Sequence, residues 1–201
     1  MIRNLLLDLG NVTVRFSPAA MIEPWVQDEQ DRDDILQALF AHSDWGLCDA
    51  GRLTEAQLHE NARARLPKRL HPALENIILH WPEYMSPLPG AEAFLKTMKS
   101  RGFRLIALSN APARYADFKK NMPILKHFDG EVISALVGLA KPGREIFEYA
   151  LSAFSMKPEE CFFVDDLPHN VEGAASAGIG GCVFDGDHQA LMSLIDQING
   201  A

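Results

Sequence analysis

Six polar residues of this chain have the types and positions to do chemistry together: Asp8, the pair Ser109 and Asn110, Lys141, and the adjacent acids Asp165 and Asp166. Asp8, Ser109-Asn110 and Asp165-Asp166 close apolar runs of strand length, and Lys141-Pro142 lies in a loop ahead of a helix. In an open parallel sheet, ligands bind at the carboxyl ends of the strands, so the six are expected around one crevice. Two or three carboxylates brought together repel and raise one another's pKa unless a cation sits among them. Carboxylate oxygens, water and a phosphate oxygen form the hard, octahedral site that magnesium prefers. An Asp at the centre of such a site can attack phosphorus and form an aspartyl-phosphate, splitting hydrolysis into two easier steps. An ammonium, a hydroxyl and backbone N–H groups then stabilise the charge spreading over the transferred group.

The elements that must position these residues are legible as alternating runs. Apolar stretches at 4–9, 104–109, 131–135, 161–165 and 181–184 lack a polar alternation, which suits strands covered on both faces. Between them lie segments of helical period. The segment 91–101 opens after Pro89-Gly90 and stops at Gly102, 144–154 follows Pro142-Gly143, and 169–177 ends at Gly178. Strand and helix alternating in this way predict an α/β fold, a Rossmann-like, doubly wound parallel sheet with right-handed crossovers.

One stretch breaks the alternation. Residues 17–87 contain no convincing strand, and Ile35, Leu36, Leu39 and Phe40 recur at helical spacing. Thr54 is placed to cap a helix running to Arg65. The acidic run 28–34 reads as a solvated helix face or turn, and Trp25, Trp45 and Trp81 as packing of a small helical unit. A βα connection normally takes a few residues, so an insert of this size is expected to be its own small domain. The division expected is therefore a core of 1–16 with 88–201 and a helical domain of 17–87.

Composition narrows the partners. A net charge of -8 over 201 residues weighs against a nucleic-acid backbone, whose binding relies on Lys and Arg displacing counterions. It leaves room for a small anion held by a few local cations and N–H groups. Cys48, Cys161 and Cys182 are scattered without metal-ligand or disulfide spacing, and the last two sit in apolar runs as small hydrophobes. The first apolar run is too short for a signal peptide or a membrane span, so the expectation is a reducing cytoplasm and no membrane partner. Nothing in the sequence reports oligomeric state.

Four motifs in order make the chain resemble the haloacid dehalogenase superfamily. They are a hydrophobic strand leading into an acidic motif, here LLLDLGNV; a strand ending in Ser, here IALSN; a lysine before a helix, here GLAKPGREIF; and an acidic pair after a strand, here FFVDDLPHNVEGA. The helical insert lies where that family places its cap. The resemblance implies that Asp8 is the nucleophile and a ligand of Mg2+, with Gly10 lending a backbone carbonyl and Asp166 a carboxylate. It makes Asp165 a further ligand or a partner behind the ligands, and Ser109, Asn110 and Lys141 the holders of the phosphoryl group. Trp45, Asp49 and Arg52 of the insert would face the substrate.

The chain departs from that pattern at Gly10, where most family phosphatases carry a second Asp that protonates the leaving group. Loss of a positioned general acid costs about 10²–10⁴-fold. The DLGNV form resembles a subgroup that includes bacterial phosphatases of sugar phosphates such as glucose 1-phosphate, whose anomeric hydroxyl is acidic enough to leave with less help. The expected activity is thus magnesium-dependent hydrolysis of a small phosphorylated metabolite, a sugar phosphate. The alternatives are a metal-free 2-haloacid dehalogenase, against which the acidic pair argues, and a non-catalytic binder of phosphorylated ligands. His169, three residues after Asp166, is a candidate substitute for the missing acid.

Overall fold

In the computed structural model, which describes residues 1–200, the five apolar runs pair as one parallel sheet. The strands in chain order are β1 (Asn4–Leu7), β2 (Val14–Arg15), β3 (Ser86–Pro87), β4 (Arg104–Ser109), β5 (Gly130–Ile133), β6 (Cys161–Asp165) and β7 (Gly180–Val183). The sheet has the order β5-β4-β1-β6-β7, with β1 at its centre. The chain fills one side of β1 and then crosses to the other, so the reversal of strand order falls where ligands bind in doubly wound sheets.

Side-chain alternation explains why the runs are continuously apolar. Leu5 and Leu7 of β1 join Leu105 and Ala107 of β4 on one face, while Leu6 joins Ile106 and Leu108 on the other. The first face is covered by α6 (Ala91–Ser100), through Phe94 and Leu95, and by α11 (His188–Asn199), through Leu191 and Ile195. The second is covered by α9 (Arg144–Ala153), through Ile146 and Phe147, and by α10 (Pro168–Ser176), through Ala174. A buried Leu, Ile or Phe contributes about 1.5–3 kcal/mol, so the sheet faces hold the core together. Helix α11, capped by Asp187, had not been anticipated from the sequence.

Two strands stop two residues earlier than expected. β1 stops at Leu7 because the chain turns there: Thr13 and Val14 donate to the Leu9 carbonyl at 2.9 and 2.8 Å, and Asn11 takes a left-handed φ of 53°. β5 stops at Ile133 because Ser134 opens the short helix α8 (Ser134–Val137).

The stretch 17–87 folds as α1 (Pro18–Ile22), α2 (Glu29–Ile35), a π-helical turn at Leu36–Phe40, α3 (Ser43–Asp49), α4 (Glu55–Arg65) and α5 (His71–His80). These helices share a core of their own that includes Ile22, Ile35, Leu39, Leu74 and Ile77. Thr54 and Gln57 form a reciprocal capping box on α4. Asp28 caps α2, so the acidic run is a capped surface helix. One expectation needs correction. The stretch does contain strand: β3 pairs antiparallel with β2, Val14 opposite Pro87 and Arg15 opposite Ser86. Two exposed residues, one of them a proline, carry no alternation from which a strand could be read. Among the described residues no helix is long and apolar enough to cross a membrane.

Candidate active site

Asp8 follows β1 directly, and its main chain is fixed on both sides. Its N–H donates to the Val164 carbonyl of β6 at 2.9 Å, and its carbonyl accepts from the Thr13 hydroxyl at 3.0 Å. The Lys141 ammonium stands between two carboxylates, 2.9 Å from Asp8 Oδ1 and 2.6 Å from Asp165 Oδ2. All three are buried: Asp8 is 8% exposed, Lys141 5% and Asp165 0%. Charges so placed persist only when paired. Asp165 is bound further, its Oδ1 accepting from Leu167 N and Asn170 Nδ2 at 2.9 Å each.

Asn110 is tied to the lysine loop. Its amide oxygen accepts from Lys141 N and its amide nitrogen donates to Lys141 O, both at 2.9 Å. The side chain is therefore engaged in holding the lysine loop, although the residue also borders the cavity. Behind that loop, a Cβ on Gly173 would lie 2.3 Å from the Pro142 carbonyl oxygen, so only glycine lets α10 approach this closely.

The donor set fits a divalent cation. Asp8, Asp165 and Asp166 each offer a carboxylate oxygen, and these atoms all lie within 4.8 Å of one another. Burial pushes the Asp8 carboxyl up to about 6; Lys141 opposes that rise and the Asp165 charge adds to it. Asp166 is raised as well, by burial with a contribution from Asp165, and Asn11 Nδ2 donates to its Oδ2 at 3.2 Å. Crowded carboxylates held above their ordinary range are what a bound cation relieves. Asp8 and Asp166 keep oxygens free of strong partners, whereas Asp165 already accepts three N–H bonds.

Asp8, Lys141 and Asp166 line a cavity of about 240 Å³ together with Gly10, Asn11 and Ser109, and Asp165 lies outside its lining. Phe16, Trp45, Trp81, Met85 and Tyr115 add apolar and aromatic walls. Trp45 lies 5.8 Å from both Phe16 and Trp81, ring centroid to centroid, so the two tryptophans pack together and face the cavity at once. Trp25 instead stacks on His80 at 5.5 Å. Asp49 also lines the cavity; burial pushes its carboxyl up to about 8, the Asp8 charge adds to that, and the Trp45 indole opposes it. Arg52 and His169 are exposed and absent from the lining. At Gly10 an added Cβ would meet Phe16 Cβ at 3.8 Å and Asp8 Oδ2 at 3.9 Å, ordinary contacts, so the backbone there does not demand glycine.

Three supporting residues escaped the reading of the sequence: Asn11, Thr13 and Asn170. Asn11 had a signal, since an Asn after Gly in a turn tolerates the left-handed region. Thr13 and Asn170 act on Asp8 and Asp165, each five residues away across a turn, and carry no such signal.

Comparisons with known proteins identify the family and the fold. The family model for haloacid dehalogenase-like hydrolases matches residues 23–178, a span that begins after Asp8 and takes in Ser109, Lys141, Asp165 and Asp166. A phosphoserine phosphatase of Thermus thermophilus is 39% identical over 93 residues, 45% of this chain and 37% of that protein. A phosphorylated carbohydrates phosphatase of Thermotoga maritima is 28% identical over 128 residues, 63% of this chain and 58% of that protein. The chain thus spans less than two thirds of the length of either relative. A HAD family enzyme from Bacteroides thetaiotaomicron, solved with magnesium and inorganic phosphate, shares the fold with a TM-score of 0.73 at 22% identity, over 95% of this chain and 99% of that one. With its parallel sheet, its acidic cluster and a family match over most of its length, the chain belongs to the haloacid dehalogenase-like hydrolases.

Proposed function

We propose that the chain is a magnesium-dependent phosphatase acting on a small phosphorylated metabolite, a sugar phosphate, through an aspartyl-phosphate on Asp8. The observation that carries this reading is Lys141 Nζ, within 2.9 Å of Asp8 and 2.6 Å of Asp165 beside the three-carboxylate cluster. A halide leaves without a cation's help, and a dehalogenase would have no use for Asp166 beside Asp8. The carbohydrate and phosphoserine phosphatases among the relatives support phosphate esters as the substrate class.

Asp8 and Asp166 would hold the ion, with the Gly10 carbonyl beside them and Asp165 behind. When bound, Mg2+ supplies positive charge that offsets the carboxylates and the phosphoryl oxygens. The chain's own residues do the rest. A carboxylate oxygen of Asp8 attacks phosphorus as the bond to the ester oxygen breaks, and water later cleaves the acyl phosphate to regenerate Asp8. Lys141 and Ser109 offset charge on the transferred group. The aromatic walls exclude bulk water from the ester. With Gly10 contributing no acid, leaving groups of low pKa are favoured. The test is hydrolysis of p-nitrophenyl phosphate with magnesium and with excess chelator; activity indifferent to chelator contradicts the proposal.

A further inference from the structure

Besides Asp8 and Asp166 the cavity is lined by one further carboxyl, that of Asp49, and its main chain is anchored on the core. Asp49 ends α3, inside the insert, yet its main chain is docked on the core. The buried Ser134 hydroxyl donates to the Asp49 carbonyl and accepts from Ala111 N at 2.9 Å, two residues beyond Ser109. Gly51, at φ +70°, lies so close to α8 that a Cβ would fall 2.9 Å from the Ala135 carbonyl oxygen. The turn at 49–51 is thereby registered to the ends of β4 and β5, and the Asp49 carboxyl to the strand that presents Ser109.

The surroundings restrict what Asp49 can meet. It shares the cavity lining with Phe16, Trp45, Trp81, Met85 and Tyr115. Among the described residues lining the cavity, Lys141 is the one cation, and it is committed to Asp8 and Asp165. A leaving group bearing a carboxylate or a second phosphate would enter without a counter-charge, an expensive burial. A purely apolar leaving group would desolvate Asp49 without giving it a hydrogen bond. A neutral leaving group with apolar faces and hydroxyl edges satisfies both the rings and the carboxyl.

We propose that Asp49 is the specificity-determining residue for the leaving group, hydrogen-bonding a hydroxyl of an uncharged sugar or polyol in a cavity that offers anionic leaving groups no free counter-charge. This rests on the phosphatase reading above. The same carboxyl, carried on the insert, links the position of the helical segment to substrate choice, because the contacts of Ser134 and Gly51 are what hold it over the site.

The experiment is a kcat/KM panel on the full chain with magnesium, using glucose 1-phosphate, p-nitrophenyl phosphate and 3-phosphoglycerate, for wild type, Asp49→Asn and Asp49→Ala. Wild type is expected to prefer the glucose ester over 3-phosphoglycerate by at least about 100-fold. In Asp49→Ala the ratio of kcat/KM for the glucose ester to that for the aryl ester is expected to fall at least about tenfold, chiefly through KM. Such a loss matches one hydrogen bond made by a charged or polar group. Asp49→Asn, which keeps hydrogen-bonding capacity, is expected to retain most of the ratio. An unchanged ratio in Asp49→Ala, or a wild type that prefers 3-phosphoglycerate, overturns the role of Asp49 while leaving the phosphatase reading intact. Hydrolysis of none of the three esters by wild type overturns both. The wild-type preference stands as a test even if Asp49→Ala fails to fold.

Discussion

The side-chain amide of Asn110 clasps both main-chain groups of Lys141, accepting from its N–H and donating to its carbonyl at 2.9 Å each. The residue that follows β4 thus sets the backbone from which the lysine reaches Asp8 and Asp165. Asn110→Ala removes both bonds and leaves two half-buried main-chain groups unpaired. A loss of about 1–3 kcal/mol in stability is expected, measured by urea unfolding, together with a lower kcat. Full activity with unchanged stability would show that the lysine loop holds its place unaided.

Asp8→Asn keeps the size of the side chain and removes the nucleophile. Turnover of p-nitrophenyl phosphate is expected to fall below about a thousandth of wild type, while chelation of magnesium abolishes wild-type turnover reversibly. Measurable turnover in the variant at a tenth of wild type would rule out the aspartyl-phosphate route.

The two adjacent acids should separate by experiment. Asp165 is fully buried and accepts from Lys141, Leu167 and Asn170, so Asp165→Ala leaves the buried ammonium with Asp8 alone and two other donors unpaired, and should cost about 3–5 kcal/mol. Asp166 is half-exposed with one long bond to Asn11. Asp166→Asn should leave stability nearly unchanged and raise the magnesium needed for half-maximal rate at least about tenfold, since one hard anionic ligand is lost. Equal stability losses in thermal melts would contradict this division.

The Asp49 carboxyl sits at about 8 in the folded chain against an ordinary value of 3.8. Between those pH values the folded chain binds a proton that the unfolded chain has released. The contribution of this group to stability is therefore whole below about pH 4 and lost as pH rises through about 8. Asp49→Asn removes the dependence, so the Tm of the variant minus that of wild type should be larger at about pH 8.5 than at about pH 5. Calorimetry in chelator gives the comparison, and a difference that does not grow with pH counts against a buried, proton-holding Asp49.

Gly10→Asp tests what the first motif lacks. A Cβ at this position would make only ordinary contacts, with Phe16 and Asp8. If a carboxyl there donates a proton to the leaving oxygen, kcat for a simple alkyl phosphate should rise relative to the aryl ester, by up to about 10²-fold. A uniform loss on both esters would show that the added charge beside Asp8 only disturbs the site.

The sequence by itself determined the alternating core, the helical insert and the chemical types gathered at the strand ends. Those features are local. Strands buried on both faces must be continuously apolar, helices ended by Gly or capped by Thr54 announce themselves, and Asp8, Lys141, Asp165 and Asp166 stand beside such signals. Tertiary structure alone decided the strand order, which sets β4 and β6 on either side of β1 and so brings Ser109, Asp8 and Asp165 to one edge. It also decided that Asn110 serves Lys141, that Arg52 and His169 fall outside the cavity lining, and that Asp49 falls within it. The physical reason is range: Lys141 meets Asp165 across 24 residues of chain, and Asn110 meets Lys141 across 31. Periodicity reports which side of its own element a residue occupies and carries no information about what the opposing element brings to meet it.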